Sequence, residues 1–133
     1  MIMHDNTTAS DVLKYFESSF MDKHVIPREL EIVWLKKAIG RYSIELDKLN
    51  FDPIIEEFDS ILDSYVVDTL AQMMKKFYQE RELSKVNKRI SIVGKDLSLD
   101  GSGNSKKYAK EELDYVNTEV IEMVENQKPS AFV

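Results

Sequence analysis

The chain has 133 residues, 43% of them hydrophobic and 32% charged, and a net charge of −6, which is the profile of one globular domain with a single core. It contains no cysteine, which excludes a disulfide scaffold, thiolate metal sites and thiol catalysis. Met1 to Asn6 lack a basic stretch followed by an apolar core, and no apolar run approaches bilayer length, so neither a signal peptide nor a membrane span is expected.

Asn6, Thr7 and Thr8 are capping residues ahead of Val12, Leu13, Tyr15, Phe16 and Phe20. They predict a short first helix ending near Met21, with its aromatics on the core in preference to a neighbouring chain. Pro27 suits the first position of a second helix, where a missing N–H costs nothing, and Glu29 and Glu31 favour the positive end of its dipole. Its stripe is Leu30, Val33, Trp34, Ala38, Ile39, Tyr42, Leu46 and Leu49. Gly40 interrupts that stripe at about 1 kcal/mol relative to Ala; it reads as a close helix crossing or as simple tolerance. Asn50-Phe51-Asp52-Pro53 is a break. Pro53 to Phe58 reads as helical, either a separate short helix or the first turns of the next, with Asp59 and Ser60 able to cap a new start.

Ser60 to Arg89 contains no Pro and no Gly, and Leu62, Val66, Leu70, Met73, Met74, Phe77 and Tyr78 recur at helical spacing, widened by Ile61 and Tyr65. An unbroken helix here would run roughly 45 Å. A domain of this size does not bury such a rod from end to end. Beyond Phe77 only Leu83 and Val86 remain apolar among many charged residues, so the first half reads as core and the second as surface or interface.

At Arg89 the period changes. Ile90-Ser91-Ile92 and Leu97-Ser98-Leu99 alternate around Gly94, which predicts a small β-hairpin or a strand and a loop. Asp100 to Asn104 reads as a flexible loop. Ser105 caps a last helix running to about Asn126, with a stripe of Tyr108, Leu113, Val116, Val120, Met123 and Val124. Pro129 stops it, leaving a tail. The expected fold is mainly α, a helical bundle built on one long central helix with a small β-hairpin or strand insertion near residues 90–99. Residues 1–126 form a single domain containing that hairpin and the loop 100–104, and residues 127–133 form the C-terminal tail.

Charge is unevenly spread. Residues 1–74 carry a balance of −7, residues 75–110 of +6 and residues 111–133 of −5. This basic island fits intramolecular pairing across packed helices, head-to-tail pairing of subunits, or a footprint for nucleic acid. Its acidic flanks and scarce aromatics argue against direct nucleic-acid binding.

Motifs for chemistry are weak. Asp96, Ser98, Asp100, Gly101 and Asn104 match the oxygen spacing of a calcium loop, but Lys107 stands where a bidentate Glu is needed and Gly103 where a branched apolar residue is usual. Gly94-Lys95 lacks the rest of a phosphate loop, and Gly101-Ser102-Gly103 lacks the third dinucleotide glycine. His4 and His24 stand alone, with no metal-ligand spacing and no triad partners. No enzymatic role and no cofactor are expected.

The segment Leu70 to Lys110, with Met73-Met74-Lys75-Lys76-Phe77-Tyr78 leading to Val86-Asn87-Lys88-Arg89-Ile90-Ser91-Ile92-Val93-Gly94-Lys95-Asp96-Leu97, resembles the head–tail connector, or adaptor, proteins of tailed bacteriophages and prophages. The helix 105–126 departs from the commonest short form of that family. The resemblance implies a structural virion protein made in the bacterial cytoplasm. It would form a ring, usually dodecameric, under the portal protein, with neighbouring copies, the portal and the next neck or tail protein as partners. DNA would be only passing cargo in the channel, with no membrane involved. The expected contact residues are Lys85, Lys88, Arg89, Ile90, Ile92, Leu97, Leu99, Pro129, Phe132 and Val133. The alternative is a small helical adaptor or regulatory protein with an unknown protein partner.

Overall fold

The computed structural model describes residues 6–20, 25–93 and 100–128. Helix α1 (Ala9–Ser18) begins where the sequence places a cap. The Thr8 hydroxyl accepts the Asp11 N–H at 3.2 Å, and the Asp11 carboxylate accepts the Thr8 N–H at 2.9 Å, so two otherwise orphaned donors are satisfied reciprocally. Ala9, Val12, Leu13 and Phe16 are buried. Of the three aromatics expected on the core, Phe16 is buried and Phe20 packs at its margin, whereas Tyr15 is exposed.

Helix α2 (Arg28–Glu45) has Pro27 as its cap, one position before the expected one. Its buried face is Ile32, Trp34, Leu35, Ala38, Ile39 and Tyr42, together with Glu31, while Val33 is exposed. A Cβ on Gly40 would meet nothing within 4 Å, so this glycine serves no close crossing.

Pro53 to Phe58 is not helical. It closes a β-hairpin of β1 (Phe51–Asp52) and β2 (Glu57–Phe58), paired antiparallel with Phe51 opposite Phe58 and Asp52 opposite Glu57. The Asp52 carboxylate accepts the Ile54 N–H at 2.9 Å, a turn-forming bond that competes with helix. The Phe51 and Phe58 rings meet at 5.0 Å between centroids. The chain before α1 joins this hairpin: Thr8 bridges Glu57, the Phe58 N–H donates to the Thr7 carbonyl at 2.8 Å, and the Ala9 N–H to the Glu56 carbonyl at 2.9 Å. The Thr7 hydroxyl accepts the Leu62 N–H at 2.8 Å and ties down the approach to α3.

Helix α3 (Ser64–Val93) starts four residues later than expected, leaving Ile61 outside it. It also runs further. Residues 90–93 are helical, so Ile90-Ser91-Ile92 is no strand, and the expected hairpin's other half, residues 94–99, lies outside the described residues. Three alternating residues are a weak strand signal. A helix already formed gains a hydrogen bond with every residue added, and no breaker occurs before Gly94. Helix α4 (Asp100–Gln127) likewise includes residues 100–104, expected as a loop. Gly101 and Gly103 disfavour helix by about 1 kcal/mol each, yet α4 runs through both; α3 packs on α4 more extensively than on any other element.

The protein is therefore mainly helical, with one small sheet among the described residues, and is centred on the first half of α3. Val66, Thr69, Leu70, Ala71, Met73, Met74 and Tyr78 point to several sides and are all buried, against α1, α2 and α4. Phe16, Phe20, Trp34 and Tyr78 form a chain of edge-to-face rings with centroids 4.9 to 6.4 Å apart. Val116, Val120 and Val124 seal the α4 side. The seam of α4 passes through Ala109 rather than Tyr108, which is 66% exposed, because Ala109, Leu113, Val116, Val120 and Met123 keep the alternating four-and-three spacing of helix pairs.

Candidate functional site

The two long helices divide the molecule into a body and an arm. Gln127, at the end of α4, donates to the Thr69 hydroxyl near the start of α3 at 2.7 Å, and its carbonyl oxygen accepts the Tyr42 hydroxyl at 2.9 Å. The helices are thus antiparallel, with this polar knot at the body end. Burial pushes the Tyr42 phenol up, reinforced by Tyr65, Asp47 and Asp63. At the other end the sealing stops. No residue from Glu80 to Lys88, and none from Lys106 to Tyr115, is buried, and Leu83, Val86, Ala109 and Leu113 are only half-covered.

The basic island lies mainly on this arm. Its body-side members are already engaged: Lys75 sits over the Phe20 ring at 5.1 Å and Lys76 reaches Glu80 at 3.9 Å. Along the arm, Lys85 reaches Glu82 at 3.7 Å. These pairs run along α3 rather than across to α4. Lys88, Lys106, Lys107 and Lys110 are exposed. Of the expected contact residues, Lys85 and Lys88 are on the outer surface of α3, and Arg89, Ile90 and Ile92 are on its last turns by backbone. Leu97, Leu99, Pro129, Phe132 and Val133 lie outside the described residues.

The second outward feature was not expected from the sequence. The hairpin tip presents Ile54, 89% exposed, and Ile55, 61% exposed. Glu56 closes the tip with φ 55°, a left-handed conformation that costs a non-glycine residue on the order of 1 kcal/mol. Three bonds hold it there: the Ala9 N–H on its carbonyl, and Arg28 donating to both carboxylate oxygens at 2.9 and 3.3 Å. The hydrogen bond from Arg28 keeps the Glu56 carboxyl below its ordinary value, with the guanidinium charge adding to it. Beside the tip, Leu49, Phe51, Ile55 and Phe58 line an open groove of about 560 Å³ together with Lys48 and Asp52. The signal for this hairpin was present in Asp52-Pro53 flanked by Phe51 and Phe58.

Among the described residues no group of three or more His, Cys, Asp or Glu side chains is placed to hold a metal ion. No helix among them is long and apolar enough to cross a membrane. Comparison of the chain with protein-family models, with curated proteins and with solved structures finds no match.

Proposed function

We propose that this chain is a structural assembly protein of the tailed-phage neck, a head–tail connector that docks through its helical arm. The observation that carries the reading is the arm itself. Helix α3 outruns its core: its last described buried residue is Gln79, yet it continues to Val93. A helix pair with only a half-covered seam is marginal alone and becomes worthwhile when a further surface covers it. The likeness over Leu70 to Lys110 begins in the body and takes in this part of the chain, although its Ile-Ser-Ile segment is helical here.

In this reading the body is the folded anchor, and the arm and hairpin meet the portal, the neighbouring copies and the next neck protein in a ring. A ring subunit meets its neighbours through two different surfaces, and the arm and hairpin are two such surfaces of opposite charge. The same arm would serve an adaptor for another protein, which the following experiment separates. Purified virions of the encoding element are analysed by mass spectrometry for this chain, and the genes beside it are read. Stoichiometric presence in particles, beside portal and capsid genes, is the expected result. Absence from particles that contain portal rules the connector reading out.

A further inference from the structure

We propose that the outer face of α4 pairs antiparallel with the same face of a second copy, Lys110 of each chain meeting Glu122 of the other. The inference goes beyond the neck reading above and does not depend on it. It starts from where α4 is covered. Among the described elements α4 packs on α3, through its valine seam. On the side away from that seam, Lys107, Lys110, Glu111, Asp114, Ile121 and Glu122 are all exposed. At about 100° per residue they fall, with the equally exposed Thr118 and Glu125, within roughly a third of the helix circumference.

Both lysines sit towards the N-terminal end of this face. Beyond Lys110 no Lys or Arg follows until Lys128, while six Asp or Glu do. Among the described residues Lys107, Lys110 and Glu122 have no ion-pair partner in their own chain, whereas Glu125 shares Lys128 at 3.1 Å. Lys107 and Lys110 do stand four residues before Glu111 and Asp114. That order is the weaker one for a pair within a helix, and neither pair closes.

Charge identifies the occupant. When two copies of the face run antiparallel about a two-fold axis level with Val116, Lys110 falls opposite Glu122 and Lys107 opposite Glu125. Glu111 then falls opposite Ile121, and Asp114 opposite Thr118, so no like charges are opposed and every contact occurs twice. The antiparallel order also sets the positive end of one helix dipole beside the negative end of the other. Ile121, 51% exposed, packs on the carbon stems of Lys110 and Glu111 of the second copy. Nucleic acid would be repelled by the carboxylates and a uniformly basic partner by the lysines; a second copy offers both signs in the matching order. The paired stretch is about 27 Å long and mostly polar, so the dimer belongs at the weak end of specific contacts.

Charge reversal tests the pairing on the full-length chain by sedimentation equilibrium. The wild type should dimerise with rising concentration at about 50 mM salt, and severalfold less at about 0.5 M, where screening is strong. Lys110→Glu alone and Glu122→Lys alone should each weaken the dimer at least about fivefold, because the two-fold axis makes each swap count twice. Both positions are exposed, so the thermal midpoints should not move. An equimolar mixture of the two variants restores both contacts, and so does one chain carrying both swaps; each should return to within about twofold of the wild type. A wild-type monomer at every concentration, a dimer indifferent to either swap, or a loss that neither the mixture nor the double swap restores overturns the proposal. A monomer that instead binds decalysine, and loses it in Glu122→Lys, overturns it too and assigns the face to a basic protein. None of these outcomes bears on the virion measurement, which judges the connector reading separately.

Discussion

Body and arm are built from the same two helices, yet they enclose their seams to different depths. In the body, Thr69, Leu70, Ala71, Met73 and Met74 are all buried, because α1 and α2 cover the sides of α3 that α4 leaves open. Among the described residues α4 is what remains against the arm, and nothing from Glu80 to Lys88 is buried. Two helices cover one stripe of each other; a third and fourth are needed to surround one. The difference therefore follows from how many neighbours each half of α3 has.

The sharpest way to break this comparison is to truncate one side chain in each half. Leu70→Ala, in the body, should cost about 2–5 kcal/mol, whereas Leu83→Ala on the arm should cost well under about 1 kcal/mol, its half-covered site having less to lose. Urea unfolding followed by fluorescence of the buried Trp34 measures both, and equal costs would erase the distinction. Gln127→Ala tests the polar knot at the body end. It strips partners from Thr69 and Tyr42 at once, and a loss of about 1–3 kcal/mol is expected in the same assay.

Gly40→Ala should move the other way, raising stability by roughly 0.5–1 kcal/mol. It sits in α2 with room for a Cβ. A destabilised variant would mean that α2 is packed more tightly at this point than described. The smallest effect concerns pH. Arg28 keeps the Glu56 carboxyl below its ordinary 4.5, so the unfolded chain takes up that proton first. The contribution is full above pH 4.5 and is lost as pH falls through the lowered value. Glu56→Gln should make the acid-side fall of the thermal midpoint slightly shallower, and only slightly, because the pair is solvent-exposed. An unchanged acid limb would show that Arg28 does not brace the hairpin.

Much of the body was legible in the sequence. The Thr8 cap, the Pro27 start, the long breaker-free helix and the core stripe through Val66, Leu70, Met73 and Met74 all follow from local chemistry and a 3.6-residue period. The hairpin was displaced because two weak signals competed. Ile90-Ser91-Ile92 alternates as strands do, but helix continuity from α3 prevails; Pro53 to Phe58 has helical spacing, but the Asp52 carboxylate captures the Ile54 N–H. The burial of Glu31 and the exposure of Val33 depend on how α2 is rolled against α1 and α3, which periodicity alone does not fix. The outward Ile54 and Ile55 were hidden for a related reason: apolar residues read as core until the turn that ejects them is recognised.

The knot at Gln127 has a consequence for the arm's far end. Val116, Val120 and Val124 repeat the same side chain every fourth residue, so α4 sliding by one turn along α3 would meet an almost identical row of holes. Apolar packing alone is a poor vernier for such a pair. The hydrogen bonds of Gln127 to Thr69 and Tyr42 are satisfied in one register only, and a buried polar partner of this kind is how helix pairs select alignment. A slip of four residues would shift the far end of α4 by about 6 Å. One glutamine at the base thereby meters how far the opposite tip extends.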